Sequence, residues 1–354
     1  MKKAKIVNKI VDLDNDLSNE DAILIESNTD VFKNIKNGIQ KIESVVKKYP
    51  NIEIRIVNRL DGSSMDYTII SLIKKELLNS NLKENERVKI SLAGSISFNS
   101  YDNNTSIREQ LFSIKDIYET EKLIEQIAKD IRSYEFSPLE SIFAAYLIVT
   151  QFKDYKELEK SSGDISYNTS TLSRSIYNIL FNDYIVCEGY ARFFNKILAY
   201  LGIPSSEVIY KITGGGHALS LTKVYDEKYN VDGYYLFDPT HDNYIKRKNE
   251  NNNIHTSLNI PISYFCLSSS EFENANKKIS TFDLLYKDIS EDDLPSLEKN
   301  RIVFIYISND SLETSILEKC LKTVYTRIYN KEDEYLFKLI DDLLILRGEK
   351  TKKR

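Results

Sequence analysis

The sequence predicts a chain of the α+β class, and two features of its hydrophobic pattern carry that prediction. Over residues 187–201 apolar side chains return every three or four positions, whereas over 208–238 the period falls to two. Upstream, residues 51–57 alternate and residues 69–77 return to helical spacing. A helical part followed by short strands is the order expected of helices packed on an antiparallel sheet, here with flanking α/β segments.

The elements follow from local chemistry. Ile52, Ile54 and Ile56 share one face of a half-buried strand, with Glu53 and Arg55 on the other, and Gly62, Ser63 and Ser64 break it. Ile69, Leu72, Ile73 and Leu77 then form a helical stripe, and residues 88–92 read as a second strand. These make a small α/β N-terminal region over 1–110, in which Gly62 and Gly94 are isolated and no Gly-rich phosphate loop occurs. Residues 95–109 are a polar connection.

A central domain is expected over 117–270. It opens with a helix over about 117–132 carrying Leu123, Ile124, Ile127 and Ile131. Ser137-Pro138 starts the next helix, with Glu140 placed to complete a capping box, and the helix runs through Val149. Residues 153–171 read as loop and Ser173–Leu180 as helix. The Cys187–Leu201 helix presents Ala191, Phe194, Ile197, Leu198 and Leu201, and Gly202 serves as its C-terminal cap. Strands follow at 208–210, 217–224 and 234–238, the last ended by Pro239, and the charged, Asn-rich stretch 241–258 reads as loop. A C-terminal strand-helix-helix region over 300–354 combines a strand at 302–307 with helices at about 311–325 and 333–346.

Composition narrows the functional classes. The 354 residues are 42% hydrophobic and 29% charged, with 6 prolines and 11 glycines, as expected of a folded chain of about two domains. The net charge of −5 disfavours nonspecific contact with nucleic acid or an anionic membrane, and the 24 scattered tyrosines form no stacking platform. A short basic end (Arg347, Lys350, Lys352, Lys353, Arg354) reads as a solubilising terminus. The longest apolar patch, 142–149, is too short to span a bilayer, and the first residues run into Asp12, Asp14, Asp16 and Glu20 without an apolar segment. No membrane or nucleic-acid partner and a cytoplasmic location are therefore expected.

Three cysteines far apart suggest neither a disulfide framework nor a clustered zinc site. Cys266 and Cys320 read as buried thiols. Cys187 differs because it opens a helix, and a helix N-terminus favours negative charge and offers unpaired N–H groups to an oxyanion. His217 follows Gly214-Gly215-Gly216, which lets backbone and substrate approach an imidazole, and Asp238 ends a strand from which a carboxylate could face that histidine. A thiol, an imidazole and a carboxylate in those places are what nucleophilic acyl transfer requires. Glu188 and Arg192 are spaced for an ion pair on one helix face. His241 and Asp242 lack the close ligand spacing of a metal site with His217, so no metal and no cofactor are expected, and His255 reads as an exposed loop residue.

The words around these residues add a resemblance. Val186-Cys187-Glu188-Gly189-Tyr190-Ala191-Arg192, Leu201-Gly202-Ile203, Gly216-His217-Ala218 and Phe237-Asp238-Pro239-Thr240 resemble the transglutaminase-like superfamily, in its microbial protease-like branch. Ser173-Arg174-Ser175-Ile176-Tyr177 resembles the family's segment before the cysteine. The likeness covers about 135–245, and Leu219 stands where the family usually has tryptophan, a residue this chain lacks. It implies a papain-like core with Cys187 as nucleophile, His217 as base and Asp238 as the residue that orients the histidine. It also implies an oxyanion side chain from upstream of the cysteine, for which Tyr184, Gln151 and Tyr155 are candidates; Tyr190 belongs to the substrate groove or to the core. The implied activity is cysteine-dependent hydrolysis of a peptide, amide or isopeptide bond in a peptide or protein substrate. Amine transfer to protein glutamine and a non-catalytic binding module are the alternatives.

Overall fold

The computed structural model describes residues 4–57, 67–91, 111–152, 155, 175–178, 185–212, 215–251, 262–275 and 307–329. The chain divides into two units, residues 1–122 with 160–181 and 291–299, and residues 123–159 with 182–290 and 300–354. Both combine helix and sheet, as the hydrophobic periods predict.

The first unit is built on a five-stranded sheet in sequential order. Strands β1 (Ala4–Val7), β2 (Ala22–Glu26), β3 (Glu53–Val57) and β4 (Val88–Ser91) run parallel, and β5 (Leu111–Ser113) closes the edge antiparallel to β4. Cross-strand neighbours Val7, Ile25, Ile56, Ile90 and Phe112 form one buried apolar row. On β3 the expected alternation holds: Ile54 and Ile56 are fully buried, while Glu53 pairs with Arg55 and, at 2.8 Å, with Lys89.

Helix α1 (Ile35–Lys48) joins β2 to β3, and α2 (Tyr67–Leu78) joins β3 to β4. The sequence reading found β3, α2 and β4 but passed over β1, β2 and α1. The core of β2, Ala-Ile-Leu-Ile, is apolar throughout and therefore has no period of two, as befits a strand buried on both faces. The stripe Ile39, Ile42, Val45 and Val46 of α1 was legible, and Asn34 caps it by accepting from the Asn37 N–H at 3.1 Å. Lys74 is buried beside Tyr177 and Glu121. Its Nζ donates to the Tyr177 hydroxyl at 2.8 Å, and that hydroxyl donates to Glu121 at 2.9 Å, so the buried charges meet polar partners.

Helix α3 (Ile114–Ser133) spans the division between the units. Its buried stripe is Ile117, Ile124, Ala128 and Ile131, whereas Leu123 and Ile127 sit at its margin. In the second unit, α4 (Pro138–Phe152) is buried almost all round. The expected capping box forms by half: Glu140 Oε2 accepts from the Ser137 N–H at 2.9 Å, but Ser137 Oγ has no partner among the described residues. Glu140 also accepts from Lys228 at 2.5 Å and from the Tyr229 hydroxyl at 2.6 Å, so the capping residue became a buried hub.

Helix α5 (Cys187–Leu201) packs on β6 (Ser205–Ile212) and β7 (Gly215–Asp226), which with β8 (Val231–Phe237) form an antiparallel sheet with β7 central. Gly202, at φ 81°, ends α5 in the left-handed region, where its N–H bonds Ala199 O at 3.0 Å. Val208, Leu219, Leu221, Leu236, Leu267 and Phe272 form a core cluster on the sheet. The helices meet it through Phe143, Tyr146, Phe194, Phe237 and Phe265, whose neighbouring rings lie 5.0–6.3 Å apart.

One expectation is corrected here. Residues 239–251, read in large part as loop, form helix α6 (Pro239–Asn251). Its polar sequence has no apolar stripe, and the helix is held by its cap and by tertiary bonds from its first turns. Arg192 also reaches across to Glu207 on β6 at 2.9 Å. Short helix α7 (Ser269–Ala275) follows, and α8 (Thr314–Tyr329), expected near 311–325, packs on α4. Ser308 N donates to Tyr234 O at 2.9 Å, extending the pairing beyond β8.

Several expectations lie outside the described residues. They are the Gly62–Ser64 break, the 95–109 connection, most of 153–171, most of the 302–307 strand, the 333–346 helix and the basic end. The Ser173–Leu180 helix is described only over 175–178, where Ile176–Asn178 form a single 3-10 turn. Among the described residues no helix is long and apolar enough to cross a membrane.

Phe143 is 1% exposed and meets Phe265 edge-on at 5.0 Å. Replacing it by alanine is expected to lower the stability of this unit by about 3–5 kcal/mol, read as an earlier urea midpoint in far-ultraviolet circular dichroism. A loss below about 1 kcal/mol would mean that the aromatic cluster does not hold the helices to the sheet.

Candidate active site

Three elements meet at the open end of the β6–β8 sheet. Cys187 is the first residue of α5, preceded by extended Val186, and its side chain is partly exposed. His217 lies on β7 just past Gly216 and is 8% exposed. Asp238 follows the last residue of β8 and is 1% exposed.

His217 Nε2 lies 2.7 Å from Asp238 Oδ2. The Cys187 side chain is close enough to the same imidazole to favour its charged form by a hydrogen bond and by Coulombic attraction. With Nε2 turned to the carboxylate, Nδ1 is the ring nitrogen left to face the thiol. The structure thus brings together the cysteine, histidine and aspartate singled out in the sequence.

Asp238 does more than face one histidine. As N-cap of α6 it accepts the His241 N–H on Oδ1 at 3.1 Å, and Pro239 occupies the first helical position. Oδ2 also lies 2.5 Å from His241 Nδ1. The Asp238 N–H donates to Tyr264 O at 3.0 Å, the Tyr264 N–H to Asp242 Oδ2 at 3.0 Å, and the Asp242 N–H to Asp238 O at 3.4 Å. This closed ring of bonds ties the end of β8, the first turn of α6 and the 262–264 segment together.

Asp242 is wholly buried and accepts the Tyr146 hydroxyl at 2.5 Å and the Ser263 N–H at 3.0 Å. Asn243, also wholly buried, donates to Thr150 O and accepts from the Tyr155 N–H, both at 2.9 Å.

The sequence reading set His241 and Asp242 aside and missed Asn243. The signal was present: Asp238-Pro239 is the same kind of helix start as Ser137-Pro138. Seen as a helix, residues 238, 241 and 242 fall in one turn.

The oxyanion candidates fare differently. Tyr184 lies outside the described residues. Gln151 is exposed near the end of α4, and Tyr155 lies just beyond it; the Asn243 clamp fixes the backbone on either side of Gln151. Tyr190 is fully buried, in the core rather than the groove of its two readings: its position in α5 turns it into the packed interior. Cys266 and Cys320 are fully buried.

Electrostatics follow from burial and pairing. Burial works against a charged His217, yet the Asp238 carboxylate outweighs it and, with Cys187, pushes the imidazole up to about 10. Burial likewise opposes a charged Asp238, but His217 and His241 hold its carboxyl far below the usual carboxylate range. Burial, with the Asp238 charge added to it, pushes the Asp242 carboxyl well above that range.

His217, Asp238 and His241 also offer ligand atoms within 4.8 Å of one another. The spacings of 2.7 and 2.5 Å are those of hydrogen bonds. Two ligands on one tetrahedral zinc, each at about 2.0–2.1 Å, would stand roughly 3.3 Å apart. The arrangement is a carboxylate shared by two imidazoles. A carboxylate this acidic only accepts, so both facing nitrogens carry hydrogen.

No known family profile matches the chain, and no curated protein matches it as a relative. Among solved structures, one described as the crystal structure of a TGase is similar over 39% of this chain and 34% of that chain, at 18% identity and a TM-score of 0.28. This chain thus spans about a third of that structure's length.

The paired charges make stability depend on pH. The folded value of His217 lies above its ordinary 6.5, so its contribution is full below about 6.5 and is lost as pH rises toward about 10. The folded value of Asp238 is depressed, so its contribution is present above about 3.8 and is lost in acid. Urea unfolding in a Cys187→Ala background should show the advantage over Cys187→Ala/Asp238→Asn shrinking as pH rises from about 6.5 to 10. A gap that stays constant over that range would contradict the pairing.

Proposed function

We propose that the second unit is a transglutaminase-like cysteine acyl-transfer domain that hydrolyses a peptide, amide or isopeptide bond through a thioester on Cys187. The observation that carries this reading is the contact of His217 Nε2 with Asp238 Oδ2 at 2.7 Å, with the Cys187 side chain against the same imidazole. The motifs around Cys187, His217 and Asp238 support the family, and a helix on an antiparallel sheet is compatible with a papain-like core.

In this mechanism His217 takes the thiol proton of Cys187 on Nδ1, and the sulfur attacks the substrate carbonyl carbon. Backbone N–H groups at the N-terminus of α5, where the helix dipole favours negative charge, are suited to the oxyanion. The Gln151–Tyr155 segment is a candidate for an added donor. His217 then protonates the leaving amine as the carbon–nitrogen bond breaks, leaving a thioester. Water, deprotonated by His217, attacks the thioester, frees the acid and returns the proton to sulfur. Asp238 holds the ring with Nε2–H inward throughout, so Nδ1 is always the nitrogen that works. An amine in place of water would give transfer with the same residues.

Two measurements test this reading. At near-neutral pH a thiol-directed probe should label Cys187 ahead of Cys266 and Cys320. Because those two are buried, the decisive comparison is within one site: His217→Ala should slow labelling of Cys187 about tenfold or more while leaving it exposed. Incubated with cell extract, wild type should generate new peptide termini that Cys187→Ala does not, and Asp238→Ala should reduce them by about 10²–10⁴-fold. Products that persist in Cys187→Ala, or an unchanged labelling rate in His217→Ala, would exclude Cys187 as the nucleophile. A mass gain that requires added amine would assign the domain to transfer.

A further inference from the structure

The reading above uses one histidine on Asp238, whereas the structure places two there. His241 holds both carboxylate oxygens at once, its backbone N–H on Oδ1 at 3.1 Å and Nδ1 on Oδ2 at 2.5 Å. The second contact is shorter than that of His217. The His241 ring also has two ring neighbours. Tyr264 stacks on it at 4.7 Å and 16°, and the His217 ring centroid is 4.8 Å away. Tyr264 is held in turn by its backbone bonds to Asp238 and Asp242.

We propose that His241 is a positioning residue for His217: by donating Nδ1–H to the shared oxygen it fixes the plane of the Asp238 carboxylate and withholds part of its charge from His217. The proposal rests on the acyl-transfer reading for its role in catalysis, but its physical content does not depend on turnover.

Two effects follow. A carboxylate gripped at both oxygens does not rotate, so His217 meets Oδ2 from one direction and presents Nδ1 along one line. A carboxylate that accepts two N–H donors through one oxygen also attracts each proton less strongly than it would attract one alone. His217 therefore stays easier to deprotonate than a lone His217–Asp238 pair would be, which matters because a base that never releases its proton cannot deliver it to a leaving amine.

The groups that bear on His241 can be named by element. Asp238 faces it from the β8–α6 junction, His217 from β7 and Tyr264 from the 262–264 segment; Cys187 on α5 acts through His217. Asp242, its neighbour on α6, turns its carboxyl to Tyr146 and to the Ser263 and Tyr264 N–H groups instead.

Three variants separate positioning from mere packing. His241→Ala removes the donor. His241→Asn puts an amide N–H close to where Nδ1–H stood, and His241→Gln places its amide too far out to reach Oδ2 along the same line. The chain has 3 histidines, so imidazole resonances are assignable. In a Cys187→Ala background, nuclear magnetic resonance titration should show the His217 transition moving upward by about half a unit or more in His241→Ala and His241→Gln. It should return toward the parent in His241→Asn. With Cys187 restored, the basic limb of the Cys187 alkylation profile should follow the same order, and the plateau rate should fall about three- to tenfold in the Ala and Gln variants. An unchanged His217 transition in a folded His241→Ala variant overturns the proposal. If that variant does not fold, the Asn–Gln pair decides, and equal behaviour of the two overturns it. A Cys187 no more reactive than an ordinary exposed thiol would remove the acyl-transfer reading alone, because the His217 titration still tests the geometry.

Discussion

A carboxylate taken out of water costs far more than an ordinary side chain to bury, and Asp238 is 1% exposed. The folded chain meets that cost by surrounding the two oxygens with donors: His217 and His241 on Oδ2, and the His241 backbone N–H on Oδ1. None of these is near its place until β7, β8 and the first turn of α6 are assembled. The charge thus acts as a condition on the fold, because any arrangement that leaves out one donor leaves a buried anion undersatisfied.

From that condition the surroundings can be read outward. Asp242 binds α6 to α4 through Tyr146 and to the following segment through Ser263 and Tyr264, and Asn243 binds α6 to the end of α4. Tyr146 belongs to the aromatic cluster with Phe194, Phe237 and Phe265, so one ring has its body in the core and its hydroxyl in the polar network. Dispersion and apolar burial supply most of the favourable free energy in such a core, but they have little direction. The directional bonds of Asp238, Asp242 and Asn243 fix which way the aromatic core is turned.

The two buried carboxyls, Asp238 and Asp242 at the start of α6, divide the work by charge. Asp238 is held ionised by the two imidazoles that face it, which suits a group that orients an imidazole; Asp242 accepts from a hydroxyl and two backbone N–H groups and is driven by burial toward its protonated form, which suits a structural anchor. The first unit solves a similar problem differently. Lys74 is buried against Tyr177 and Glu121, so a cation and an anion are enclosed with a hydroxyl between them.

Much of the molecule was legible in its residues. The period of three to four in Cys187–Leu201, Gly202 after it, and the alternation of β3 reflect local preferences and the sidedness of burial, and both are written directly in residue order. Strand β2 was lost because a strand covered on both faces has no polar side to reveal its period. Helix α6 was lost because its residues carry no apolar stripe, although Asp238-Pro239 marked its start. Cys187, His217 and Asp238 stood out because each has a recognisable neighbourhood: a helix start, a glycine run, a strand end. Sequence alone therefore singled out the three polar groups that the fold brings together, and the helix and strands that hold them. Tertiary structure decided that Asp238 serves two histidines, that Arg192 pairs across to Glu207, and that Tyr190 packs inward. These outcomes depend on the direction in which side chains from separate elements converge, and no local spacing encodes that direction.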